Sequence, residues 1–154
     1  MSRLNKYFFL ILFFASVSLF AQTPERSRST AMEIETLLNA KTVTYAQAAR
    51  FVLEAANALA TDNSEEAFNY AVQKDWLSKK LSSNDSARLD NISLLLMRSF
   101  NIKGGIMYTL TKNAHYAYRE LEYLNVIQNR ADPSVSVSGE QLLYYINRIL
   151  AMEN

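Results

Sequence analysis

The sequence contains no cysteine. That excludes disulfides, thiolate nucleophiles and Cys-type zinc sites together, and with them the lipidated cysteine of a bacterial lipoprotein. Glycine and proline are scarce, 3 and 2 in 154 residues. An all-β domain needs many tight turns built from such residues, so their scarcity favours helices. Histidine occurs once, as His115. An imidazole metal site or general base needs partners, and no H-x-x-x-H pair is possible. Charge of one sign is missing too: 16 Lys+Arg against 15 Asp+Glu gives +1, which offers no global field for nucleic acid. There is no G-x-S-x-G nucleophile elbow. Gly104-Gly105 lacks the G-K-[ST] of a phosphate loop and reads as a turn, or as positive φ that other residues resist.

What is present is apolar residue, at 49% of the chain, enough to fill the core of one compact domain. The first 21 residues carry a different signature. Arg3 and Lys6 precede an uncharged run of Phe, Leu and Ile over residues 7–20, then Ala21 and a polar stretch. This is the basic, apolar, small-residue order of a secretory signal peptide. The run is too short for a comfortable span of about 20 residues. Cleavage after Ala21 is expected, with an uncleaved N-terminal anchor as the alternative. It would leave 14 basic and 15 acidic residues, since Arg3 and Lys6 are lost. Residues 22–31 read as a flexible leader and residues 32–154 as a single helical domain, with no membrane span after cleavage.

Three stretches share one order: an apolar residue, a short polar one, then an apolar-rich helical run. They are 43–59 (V-T-Y-A-Q-A-A-R-F-V-L-E-A-A-N-A-L), 89–102 (L-D-N-I-S-L-L-L-M-R-S-F-N-I) and 137–150 (V-S-G-E-Q-L-L-Y-Y-I-N-R-I-L). Thr44, Asp90 and Ser138 are the expected N-caps, with Gln47 and Gln141 completing capping boxes. Ser64 is the expected cap of a helix carrying Ala67, Phe68, Ala71 and Val72 on one face. Between the capped helices lie connecting ones. Ile34, Leu37 and Leu38 mark a first, over 31–40. Asp75 and Asn125 stop two others, each followed by an apolar pair, Trp76-Leu77 and Val126-Ile127. The expected class is all-α: a small bundle of about three degenerate helix-pair repeats that bury each other's apolar faces.

This layout resembles the S-layer homology repeat, which runs helix, turn and apolar pair, polar loop, an Ile-Thr-Arg-Ala-Glu-type start, then a second helix. The copy over 116–150 carries L-E-Y-L-N-V-I, a loop with D-P, and V-S-G-E-Q-L-L; weaker copies cover 68–100 and 34–59. It is also similar to small exported envelope proteins of Gram-negative-type bacteria, spirochaetes included. The resemblance implies noncovalent attachment to cell-wall polysaccharide, often to acidic sugars. The family's basic residue after the cap is here Tyr45, Asn91 and Gly139, and its closing Glu is Gln47, Ser93 and Gln141. A cap survives those changes; an anion site built on that Arg does not.

Tyrosine is the most unusual constituent. Six of nine lie from Tyr108 onward, at 108, 116, 118, 123, 144 and 145. They read first as core rings with hydroxyls reaching the surface. Read as a site, Tyr116, Tyr123, Tyr144 and Tyr145 would stack on sugars or anchor a protein, with Arg119 as part of an anion-binding rim alongside Arg130 and Arg148. No catalytic, cofactor or metal constellation emerges, and Glu120 and Glu122 diverge on their helix. The expectation is a non-enzymatic envelope or periplasmic module that binds cell-wall glycan. The alternatives are a protein-binding scaffold for another envelope component and, last, an exported glycan-active enzyme.

Overall fold

In a computed structural model, the backbone is described for residues 24–128 and 131–153, and side chains for 31–128 and 131–152. The export segment over 1–21 lies outside the described residues. The described chain is all-α. Seven helices follow in order: α1 (Pro24–Leu38), α2 (Tyr45–Ala55), α3 (Ser64–Gln73), α4 (Leu89–Ser99), α5 (Ile106–Thr111), α6 (Ala114–Tyr123) and α7 (Gly139–Glu153). No β-strand occurs among the described residues, only two isolated antiparallel bridges.

The chain divides into two compact units, Met1–Ile34 and Glu35–Asn154, with α1 crossing the boundary. In the first unit the stretch read as a flexible leader is helical from Pro24. Proline fits the first helical turn because its missing N–H would be unpaired there anyway. Of the apolar set Ile34, Leu37 and Leu38, only Leu37 is buried; the other two are exposed.

The second unit holds the core. Here α2 packs on α3 and α4 on α6, while α2 also meets α4 and α7. Ile92, Leu95, Leu96 and Phe100 bury the face that their spacing predicts. Leu77, Val126 and Ile127 follow their helices inward as expected.

Four helices end in the same way. Asn57, Asp75, Asn101 and Asn125, following α2, α3, α4 and α6, take left-handed φ of 50–57°. Behind them the N–H groups of Ala58, Trp76, Ile102 and Val126 reach back five residues to the carbonyls of Leu53, Ala71, Met97 and Leu121, each at 2.9 Å. This is the Schellman closure, made with Asn or Asp, whose short polar side chains tolerate the left-handed region. The stops expected at Asp75 and Asn125 are thus two of four.

The starts of α2, α4 and α7 converge. The Val43 N–H donates to the Val137 carbonyl at 2.9 Å, Val137 to Ala87 at 2.9 Å, and Ala87 back to Val43 at 2.8 Å. Three residues, none more than 1% exposed, thereby satisfy one another's backbone in a closed cycle. A second tier runs the other way round: Tyr45 N–H to Asp85, Leu89 N–H to Val135, and Gly139 N–H to Ala40.

That cycle sets the register of the three copies, and it corrects one expected cap. Thr44 and Ser138 cap as expected. Gln47 N–H donates to Thr44 Oγ1 at 3.2 Å and Thr44 N–H to Gln47 Oε1 at 3.0 Å; Gln141 and Ser138 repeat the exchange at 3.2 and 2.9 Å. The equivalent of these two in the middle copy is Arg88, not Asp90. Asp90 lies within the first turn of α4, where its carboxylate accepts from the Arg88 guanidinium at 2.8 Å and favours the helix dipole. Three residues on, where Gln47 and Gln141 accept in the other copies, Asn91 donates its amide to the Tyr45 hydroxyl, and that hydroxyl also takes up the Arg88 N–H, at 3.2 Å. Ser64 is likewise displaced as a cap. Asn63 accepts from the N–H groups of Glu65 and Glu66, reaching two donors at once.

No glycine has positive φ, so the turn expected of Gly104-Gly105 has another cause, close approach. A Cβ on Gly104 would meet the Tyr108 ring at 2.5 Å, and one on Gly105 would meet Glu120 Oε1 at 2.8 Å.

Candidate functional site

The six tyrosines from Tyr108 onward, four of them expected to form a binding face, are divided between core and surface. Tyr145 is 6% exposed and Tyr118 and Tyr108 are equally buried, whereas Tyr123 is 82% exposed. Tyr116 is half-buried and meets His115 edge-on at 5.5 Å. Tyr144 stands half out of the surface, edge-on to Tyr145 at 6.0 Å. Arg119 is exposed. Among the described residues no ring contact joins Tyr116 or Tyr123 of α6 to Tyr144 or Tyr145 of α7. Arg148, counted as rim, instead donates from its guanidinium to the Asn125 carbonyl at 2.9 Å, closing the end of α6. Arg130 lies outside the described residues.

The buried hydroxyls have partners or pay a visible penalty in acidity. The Tyr118 oxygen lies 2.6 Å from the Ala131 carbonyl and 2.7 Å from Glu122 Oε1. Burial first, and then the Glu122 carboxylate, push its pKa up to about 12. Burial also raises Tyr145 and Tyr108; at Tyr108 the Arg98 charge opposes the rise and Glu120 adds to it.

A more coherent constellation lies elsewhere, where the ends of α3 and α4 meet α5. An open groove of about 550 Å³ is lined by Trp76, Met97, Arg98, Asn101, Ile102, Lys103, Gly104, Tyr108, Thr109 and Lys112. Three cations and two aromatic rings share this wall, and no carboxylate does. Local structure explains their meeting. The left-handed Asp75 and Asn101 turn the chain so that Trp76 and Ile102 follow directly from two helix ends. Gly104 lets the Tyr108 ring close on the backbone, and left-handed Lys112, at φ 47°, ends α5. The size suits a small ligand or a few sugar units. Aromatic faces with cations beside them suit a sugar bearing an acid group. Trp76 was read from sequence only as a packing residue. Its place on one wall with α5 joins residues 30 or more apart, which no local pattern carries.

A second depression, of about 420 Å³, lies along α3 with Glu65, Glu66, Asn69 and Tyr70. Its carboxylates are engaged: Ser83 Oγ donates to Glu65 at 2.5 Å and Thr61 Oγ1 to Glu66 at 2.6 Å. Among the described residues no three His, Asp or Glu side chains gather as a metal site would require, and no helix is long and apolar enough to cross a membrane. Comparison with protein families, with characterised proteins and with solved structures gives no match.

Proposed function

We propose that this protein is a non-enzymatic, exported module of the periplasm or cell envelope. In this reading it binds acidic cell-wall polysaccharide in the groove between Trp76, Arg98, Lys103, Tyr108 and Lys112. The observation that carries the reading is the composition of that wall, cationic and aromatic without a carboxylate. The export signature of residues 1–21 supports the location. The closed cycle of three helix starts supports an S-layer-homology-like arrangement of repeats. In that arrangement the cations come from the end of α4 and from the residues flanking α5 rather than from the position after each cap, where Tyr45, Leu89 and Gly139 stand in the observed register.

Trp76 is the sole tryptophan, so its fluorescence reports on the groove directly. Titration with solubilised acidic wall polysaccharide is expected to shift and saturate that emission. A neutral polysaccharide should leave it unchanged, and added salt should weaken the response, because exposed charge pairs are screened. Replacing Lys103 and Lys112 together by Gln should weaken binding by about tenfold, the product of two exposed charge contacts worth roughly 0.7 kcal/mol each. Unchanged Trp76 emission across all acidic wall fractions would defeat the reading.

A further inference from the structure

The connection between α4 and α6 is longer than its counterpart between α2 and α3. The cap Asn63 lies six positions after left-handed Asn57, and the cap Asn113 twelve positions after left-handed Asn101. The difference is the length of α5, six residues. This inserted helix contributes only Tyr108 to the core. Its other large apolar side chains face out: Ile106 is 78% exposed, Leu110 76% and Met107 49%. Ile106 and Leu110 are four apart and share a face, with Met107 three residues from Leu110. Apolar side chains gathered on one exposed helix tip mark an interaction surface.

Charge identifies the occupant. Lys103 and Lys112 flank the tip, and no Asp or Glu occurs between Asp90 and Glu120, a stretch that also holds Arg98. Glu120 brings one carboxylate against Gly105, where Tyr108 feels its charge. Three apolar side chains are too few for a stable protein interface, which buries about 800 Å² on each partner. They are enough for shallow entry into a lipid headgroup region, with lysine stems lying along the boundary and their ammonium groups on phosphates. We propose that the α5 tip docks the protein onto an anionic bilayer surface, Ile106, Met107 and Leu110 entering the interface and Lys103 and Lys112 pairing with headgroups. The proposal does not rest on glycan binding: Lys103 and Lys112 belong to both tip and groove, but Ile106, Met107 and Leu110 do not line the groove.

The absence of cysteine makes a local test possible in the full chain. Met107→Cys carries a single environment-sensitive fluorophore, and Glu54→Cys, on exposed α2 surface, carries the control. With vesicles of phosphatidylglycerol in phosphatidylcholine, the label at 107 should shift to the blue and be quenched by doxyl-labelled lipid, while the label at 54 stays aqueous. Pure phosphatidylcholine should give no shift. Ile106→Ser with Leu110→Ser should weaken partitioning by at least about tenfold, two exposed side chains whose loss does not touch the core. Three results would overturn the proposal: a label at 107 that stays aqueous on vesicle-bound protein, equal quenching at 54, or a blue shift that follows protein concentration without lipid. The last would mean that a second copy covers the tip. Trp76 titration with polysaccharide is a separate readout, so the two readings fail separately.

Discussion

Tyr45 is 1% exposed, yet its hydroxyl has full employment. It accepts from the Arg88 N–H at 3.2 Å and from the Asn91 amide at 3.0 Å. In α2 and α7 the corresponding backbone N–H is taken by a Gln three residues on; in α4 the acceptor comes from a residue 43 positions away. Tyr45→Phe therefore takes the acceptor from two part-buried hydrogen bonds while changing almost no volume. The expected cost is about 1–3 kcal/mol, read from urea unfolding at neutral pH. A loss below about 0.5 kcal/mol would show that water replaces the hydroxyl. Tyr118 gives a test in pH. Its folded pKa, about 12, lies above the ordinary 10.0, so between these values the folded state holds a proton that the unfolded state releases. Stability from this group is full below pH 10 and is lost as pH rises towards 12. Tyr108 and Tyr145, raised by burial, act in the same direction. Urea midpoints should fall steeply over this window, and Tyr118→Phe should shallow the fall. An unchanged slope in that variant would place the alkaline loss elsewhere.

At the scale of the helix, what sequence reveals depends on how far the stabilising partner lies along the chain. The capping boxes at Thr44 and Ser138 close within four residues and are legible. So are the stops at Asp75 and Asn125, because a short polar residue before an apolar pair is a local signal. Asp90 looked like a cap because it is the first short acceptor before an apolar run. The real start lies two residues earlier, set by Tyr45 and by the backbone of residues 133 and 135. The same limit explains the binding face. Tyr116 and Tyr123 lie on α6 and Tyr144 and Tyr145 on α7, so whether they form one face depends on how the two helices pack, and that packing buries Tyr145. The basic and aromatic groove was hidden for the converse reason, since Trp76 and α5 meet only in three dimensions. The exposure of Ile106 and Leu110 was equally invisible, because an apolar pair four apart ordinarily predicts burial.

Across residues 35–153 the cycle through Val43, Ala87 and Val137 ties three helix starts that are 44 and 50 residues apart into one element. At this point no copy satisfies its own backbone: each borrows an acceptor from the copy before it, the first from the last. Stability should then belong to the closed set rather than to successive helix pairs, unlike an open repeat array. Gly139 is where this can be broken with one atom. The other copies meet their neighbour through a long loop, but here the chain after α1 is short and its backbone comes directly against α7. A Cβ on Gly139 would run into the Leu37 carbonyl, backbone that cannot swing aside. Gly139→Ala should therefore push the Ala40 and Val137 contacts apart and cost about 3 kcal/mol, the upper end for forced overpacking. Because the cycle is shared, that cost should appear in one transition. Far-UV circular dichroism and Trp76 fluorescence, which reports from the α3–α4 side, should shift together to lower urea. If the fluorescence transition keeps its wild-type midpoint while part of the helical signal melts early, α7 is an independent appendage and the three starts do not stand or fall as one.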